Sequence, residues 1–276
     1  MDMWRIGIFA DPFSDYTFKR LFGIERNKPL LIDFLNALLK PVKKIVNIQY
    51  LNVEKLGNTR KHRKSVFDIY CEDEDGNKFI IEIQKIQKPY FLGRTVFYST
   101  FAVQEHAVRG KWDFNIKQTY AICILGFCFD NTYPDHVVHE VKLVDIQTQE
   151  IFDNNLTYCY LETPKFKKKE IELTSRLDIW LYVLNNLTTF TEIPDFLKDD
   201  PIFKQFFMEA KIANFNRDEM MAYYASMKDD WDRYSEREGA ALDAKFAIAK
   251  LMKSENEPLE KIMKYTGLSA AEIENL

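Results

Sequence analysis

Residues 64–84 read Lys64-Ser-Val-Phe-Asp68-Ile-Tyr-Cys-Glu-Asp-Glu-Asp-Gly76-Asn-Lys-Phe-Ile-Ile-Glu82-Ile-Gln84: two strand-like runs on either side of an acidic turn that contains one glycine. A three-residue loop, Glu74-Asp75-Gly76 with Gly76 left-handed, sets residue 73 against 77 and, counting outward, Asp68 against Glu82. Opposed residues share a face, and two carboxylates there repel unless a cation lies between them. A divalent metal is the simplest such cation. A two-residue Asp75-Gly76 turn would instead set Asp68 against Ile83 and send Glu82 to the other face. Acidic residues on a solvated strand face beside a turn are the ordinary alternative. Against it stand Phe79, Ile80, Ile81 and Ile83, a nearly continuous apolar run suited to a strand covered on both faces, which makes Glu82 an acid inside an apolar strand. Buried carboxylates are rarely left unpaired.

Working outward, Ser14 can cap a short helix to Phe22. Pro29 near the start of 27–40 opens a second helix, with Leu31, Phe34, Leu35 and Leu38 on one stripe, and Pro41 ends it. Residues 45–56 read as a strand, followed by hairpin strands 65–72 and 78–86. Pro89 then precedes a helix over 92–109, a buried strand over 116–129, shorter strands over 137–146 and 156–161, and a helical remainder from about Lys169. The order is helices, a three-stranded meander, a helix and another strand.

The Asp, hairpin, Glu-x-Gln pattern resembles the PD-(D/E)xK nuclease signature in the form where Gln84 stands at the usual lysine. Asp15-Tyr-Thr-Phe18-Lys19-Arg-Leu-Phe22-Gly23 is similar to the opening of the PD-(D/E)xK nuclease family transposases, the group that includes the Rpn recombination-promoting nucleases. Arg94-x-x-x-Tyr98, Thr119-Tyr-Ala-Ile-Cys-Ile-Leu-Gly-Phe, and the ending from Glu238-Gly239 through Gly267-Leu268-Ser269 to Glu272-Ile273 also look like that family. The resemblance implies a restriction-endonuclease-like αβββαβ core with a mixed sheet and a C-terminal helical extension, divided as 1–168 and 169–276. It further implies a bacterial-type, metal-dependent DNA endonuclease linked to recombination or mobile elements.

On that resemblance Asp68 and Glu82, with the backbone carbonyl of Ile83, bind Mg²⁺ or Mn²⁺, which would lower the pKa of a bound water and stabilise charge on the phosphate. Gln84 can orient a water but supplies no charge. Lys85 points to the opposite face of the strand, so Lys88 or Lys19 is the better replacement cation. Asp15 is either an accessory acid or a charge at the start of its helix. Arg94 contacts phosphate or an active-site acid and Tyr98 bonds nearby; the plain alternative is that Tyr98 packs with Phe97 and Phe101 while Arg94 snorkels to solvent.

Composition agrees with an enzyme-sized chain: 276 residues, 46% hydrophobic and 14% aromatic, enough for a full core. The net charge of −4 hides an asymmetry, since residues 1–130 hold 20 Lys/Arg against 15 Asp/Glu and residues 131–276 hold 18 against 27. Arg60-Lys61-His62-Arg63-Lys64 runs into the Asp68 strand, where it could meet DNA phosphates, unless it is a solvated loop. A second basic run, Lys165 to Lys169, falls where the two halves join. No apolar run reaches membrane-spanning length and the start lacks a signal-peptide layout, so a cytoplasmic protein, nucleoid-associated when on DNA, is expected. Cys71, Cys123, Cys128 and Cys159 lack metal-ligand spacing and read as reduced core thiols.

His136 and His139 are expected on opposite faces of an extended segment, which argues against a zinc cluster. The tail from Pro258 to Leu276 has helix-turn-helix spacing, yet its second helix offers Ala270, Ala271, Glu272 and Glu274 to any DNA. Packing or self-association suits it better, with Leu242, Phe246 and Ala249 as a contact stripe for a homo-oligomer or, equally, for the core of one chain. The rival to an active nuclease is a catalytically idle nuclease-fold module that binds nucleic acid or protein, and Gln84 is what sustains it.

Overall fold

Local chemistry sets the first two helices. The Ser14 side chain accepts the Thr17 N–H to cap α1 (Asp15–Phe22), and Pro29 lies in the first turn of α2 (Lys28–Leu39), which buries Leu30, Leu31, Phe34, Leu35 and Leu38. Lys40, in the left-handed region at φ 46°, ends α2 one residue before Pro41. The structure is a computed structural model that describes residues 7–51, 67–107 and 113–276.

The sheet comprises β1 (Ile48–Tyr50), β2 (Ile69–Asp73), β3 (Lys78–Gln84), β4 (Thr119–Leu125), β5 (Val138–Val144) and β6 (Ile151–Glu162), in the spatial order β1-β2-β3-β4-β6-β5. β1, β2 and β3 form the antiparallel meander. The connection through α3 (Phe91–Gln104) makes β4 parallel to β3, β6 lies parallel to β4, and β5 closes the far edge antiparallel to β6. A mixed sheet in this order is the expected restriction-endonuclease-like α/β architecture. Of the strand expected over 45–56, Ile48–Tyr50 is observed and residues 52–56 lie outside the described residues, as do the last two residues of the helix expected over 92–109.

Alternation along each strand divides the side chains between two layers. On one face Ile69, Cys71, Phe79, Ile81, Ile122, Ile124 and Leu161 join the main core with α1, α2, α4 (Arg176–Asn186) and α5 (Pro201–Ala210). Trp180 is fully buried there, packed on Phe22, Phe34, Phe203 and Phe206, and its indole N–H donates to Asp33 at 2.7 Å. The other face carries α3 over two smaller apolar groups, Phe67, Tyr70, Ile80, Phe101 and Ala102, and then Phe91, Cys123, Leu125 and Tyr160. The four cysteines are free, three of them buried.

By packing, the chain forms two compact units, Met1–Tyr224 and Ala225–Leu276. This division falls later than the sequence boundary at 168/169, because α4 and α5 share the Trp180 core with α1 and α2. In the second unit, within α6 (Arg217–Ser254), Ala249 is buried with Ile262 of α7 (Leu259–Thr266), Leu268, and Ile273 of α8 (Ala270–Glu274), and Phe246 packs beside them. Gly267 ends α7 at φ 69° and Ser269 caps α8 through a reciprocal pair with Glu272. Phe246 and Ala249 are thus used inside this unit, whereas Leu242 is exposed. No helix among the described residues is long and apolar enough to cross a membrane.

Candidate active site

The hairpin register fixes the geometry. Gly76 takes φ 83°, the Asp73 N–H bonds the Asn77 carbonyl at 3.0 Å, and the pairs run from Glu72 opposite Lys78 to Ile69 opposite Ile81. The ladder ends there, and Asp68, in a bend one residue beyond it, lies near enough to Glu82 for the Glu82 charge to act on it. The loop is therefore the three-residue form, and both carboxylates lie on the α3 face.

Around this pair the chain supplies few compensating charges. Asp68 Oδ2 accepts the Ile83 N–H at 2.8 Å, while its Oδ1 lies 3.8 Å from Lys19 Nζ. Lys19 is closer to Asp15, at 2.7 Å, one turn earlier in α1. The N–H and C=O of a strand residue project to the same edge, so the Ile83 carbonyl also lies on the Asp68 side. Glu82 and Gln84 are each only 7% exposed. Gln84 Nε2 donates to Glu82 Oε2 at 3.2 Å, and Gln84 Oε1 is a buried acceptor that no donor among the described residues reaches. Among the described residues no basic group forms an ion pair with Glu82.

The opposite end of the same hairpin face differs. Glu72 meets Lys78 across the strands at 2.8 Å, Lys78 lies 3.6 Å from Glu105, and the Tyr70 hydroxyl donates to Glu105 at 2.5 Å. Two strands beyond β3, Glu162 is in line with Leu125 and Gln84 and is fully buried. It pairs with Lys165, lies 2.7 Å from His139 Nε2, and accepts the N–H groups of Phe129 and Asp130. These acids of the α3 face are answered by cations, whereas Asp68 and Glu82 face one another.

Protonation follows from this arrangement. Burial, reinforced by the Asp15 and Glu82 charges, pushes Asp68 up to about 7 against the pull of the Ile83 N–H and Lys19. Burial also raises Glu82, opposed by the Gln84 amide and by the Arg94 and Lys88 charges. Burial acts on Glu162 in the same upward sense, but Lys165, His139 and the two N–H donors hold it below the ordinary carboxylate range. Cys123, beside Glu82 on β4, has its thiol pushed up by burial and then by the Glu82 charge.

The expected site residues are thus distributed as follows. Asp68, Glu82, Ile83, Gln84, Lys19 and Asp15 come together at the mouth of the hairpin, and Arg94 and Lys88 act electrostatically on Glu82. Arg94 stacks over Tyr98, its guanidinium 5.6 Å from the ring centre, while Tyr98 packs edge-on against Phe67. Lys85 turns to the other face and pairs with Asp11 at 2.6 Å. Arg60, Lys61, His62, Arg63 and Lys64 lie outside the described residues.

Two readings change. The rings of His136 and His139 do not diverge but meet edge to face, 4.6 Å apart, because His136 belongs to a turn in which its N–H bonds the Tyr133 carbonyl and strand alternation begins only at Val138. Lys165 is a buried counter-ion to Glu162 rather than a linker residue. Glu162 itself was missed, although Leu156–Glu162 ends in an acid after apolar alternation, the same signal that marked Glu82.

A mixed sheet whose central hairpin presents a half-buried and a buried carboxylate side by side, with an amide following, defines a PD-(D/E)XK-type nuclease fold. Residues 12–240 match the model of the PD-(D/E)XK nuclease family transposases, and the chain belongs to that family. The family is one of nucleases linked to mobile elements, with DNA as the implied substrate. No curated protein and no solved structure matches the chain.

Proposed function

We propose that the chain is a divalent-metal-dependent DNA endonuclease that acts in recombination or on mobile elements in the cytoplasm. The observation that carries this reading is Asp68 beside Glu82, with no basic group among the described residues paired to Glu82 and only Lys19, 3.8 Å away and closer to Asp15, near Asp68, on a sheet face where Glu72 and Glu162 have close counter-ions. Repulsion between two desolvated carboxylates is relieved by a hard cation, and the donors present are all oxygen: Asp68, Glu82, the Ile83 carbonyl and Gln84 Oε1, which no donor among the described residues reaches. Among the described residues no three His, Cys, Asp or Glu converge on a point, so water would complete the sphere of Mg²⁺ or Mn²⁺. An ion held by Asp68, Glu82 and the Ile83 carbonyl would supply a nucleophilic water at neutral pH and charge stabilisation at the phosphate.

This chain's side chains do the rest. The Gln84 amide aligns Glu82 and can orient the attacking water, Lys88 or Lys19 supplies the positive charge that the usual lysine would give, and Asp15 tethers Lys19. Arg94, held over Tyr98, faces Glu82 and the incoming phosphate, and Arg60, Lys61, Arg63 and Lys64 hold the DNA backbone.

A second reading rests on Gln84 as well. Its amide is engaged with Glu82 and carries no charge, and Lys19 is committed to Asp15, an arrangement suited to a module that binds metal and nucleic acid without cutting. Incubating supercoiled plasmid with wild type and Asp68→Ala, each with Mg²⁺, Mn²⁺ or EDTA, separates the two. Cleavage confined to wild type with metal supports the endonuclease. Binding without cleavage supports the idle module, and cleavage that survives EDTA or Asp68→Ala overturns the proposed site.

A further inference from the structure

The outer edge of the sheet is built for pairing. β5 is the last strand and β6 is its partner. The Val137 carbonyl accepts the Glu162 N–H at 2.8 Å and the Asp145 N–H bonds the Glu150 carbonyl at 2.9 Å; the register shifts between Val141 and Val144 put their extra residues on β6, so along β5 the odd-numbered residues turn their main-chain groups inward. Val138, Glu140, Lys142 and Val144 therefore present theirs outward, over a run with no proline. The ribbon also outruns the sheet, because β4 pairs β6 only over Leu156–Glu162 while β6 begins at Ile151. A two-stranded ribbon is marginal in water, and this one leaves Val141, Leu143, Val144, Ile151 and Phe152 between 45% and 81% exposed.

Charge narrows the choice of what covers it. From Val138 to Asp153 the ribbon has Glu140, Asp145, Glu150 and Asp153 against Lys142 alone, which repels a phosphate backbone. Against a second copy of itself the strand is complementary in one register. With a two-fold axis at Val141 in an antiparallel pair, Glu140 and Lys142, which pair along the strand at 2.7 Å in one copy, each face the opposite charge of the other copy, Val138 faces Val144, and the two Val141 side chains meet. An axis at Glu140 sets Glu140 against Glu140, and one at Lys142 sets lysine against lysine; both are disfavoured.

We propose that β5 is a self-association edge through which two copies of this chain join by antiparallel β5–β5 pairing about a two-fold axis at Val141. The inference stands apart from the nuclease reading, since it uses no residue of the carboxylate site.

The test is register-specific cross-linking of the full chain, with light scattering for mass. Directly opposed residues at an inward-turned position have Cα atoms about 4.5 Å apart, within disulfide reach, so Val141→Cys under mild oxidation is expected to give a covalent dimer. Leu143→Cys, about 14 Å from its equivalent across the axis, and wild type are expected to give none. Glu140→Lys should weaken association about tenfold, and adding Lys142→Glu should restore it; unchanged circular dichroism confirms that the variants fold. The proposal is overturned by a protein that stays monomeric at its highest soluble concentration. It is equally overturned by a dimer that Val141→Cys fails to trap, by equal trapping at positions 141 and 143, or by a charge swap that does not restore association.

Discussion

Asp68 and Glu82 lie beside each other at the open end of the β2–β3 hairpin, one step past its last paired residues, while on the same face Glu72 and Lys78, four residues nearer the turn, are joined at 2.8 Å. The first pair of acids finds no counter-ion across the hairpin, whereas Glu72 does. A site held in an unfavourable state for function should gain stability when its charge is removed.

Asp68→Asn and Glu82→Gln are therefore expected to raise the melting temperature in EDTA, each adding about 1 to 2 kcal/mol, and to abolish any stabilisation by Mg²⁺. Thermal unfolding of each variant with and without metal measures both effects. A variant that melts below wild type in EDTA would show that the charge pair is not frustrated.

The pH dependence has a defined sign. A carboxyl whose folded pKa is raised binds its proton more tightly when folded, so its contribution favours the fold at low pH and fades as pH rises. For Asp68 the fading spans roughly pH 4, its ordinary value, to about 7, its folded value. In EDTA, the stability of wild type relative to Asp68→Asn should fall across that window by up to a few kcal/mol and level off above it. Denaturant titrations from pH 4 to pH 8 provide the measurement; a relative stability that rises with pH would reverse the assignment.

Gln84→Lys places a cation beside Glu82. It is expected to stabilise the metal-free protein by about 1 kcal/mol and to increase plasmid cleavage at least tenfold, because the charge lost at this position is restored. Unchanged cleavage would mean that Lys88 or Lys19 already provides it.

Gly76→Val tests the register itself. A β-branched residue at φ 83° is strained by about 1 to 3 kcal/mol, and relief through a different loop would slide Glu82 away from Asp68. Loss of metal-dependent stabilisation larger than the loss of stability alone would account for is the expected outcome, read by calorimetric titration with Mn²⁺.

Glu162→Gln should be costly, about 3 to 5 kcal/mol, because it leaves Lys165 buried without its counter-ion. Denaturant unfolding checks this. A loss below about 1 kcal/mol would place the Lys165 charge in contact with solvent.

Much of this molecule can be read directly from its chain. The Glu74-Asp75-Gly76 loop, with a single glycine able to take the left-handed conformation, sets the hairpin register by local geometry. The apolar run around Glu82 marks a strand covered on both faces, and Ser14, Pro29 and Pro41 bound the first two helices by capping and by proline's missing donor. The ordered motifs around Asp15, Asp68, Glu82 and Arg94 sufficed for the family and the α/β fold. Contacts between distant segments were not legible, because no local rule states them: Trp180 closing the core over Phe22, which carries α4 and α5 into the first unit, and Glu162 binding His139. Periodicity specifies which face a side chain takes, since that depends on neighbouring backbone angles alone. The hairpin register also sets Glu72 against Lys78, but whether a cation from another element reaches an acid depends on chain folded back from farther away, and only the tertiary structure decided that Glu162 would meet His139 while Lys19, the cation nearest Asp68, would pair more closely with Asp15.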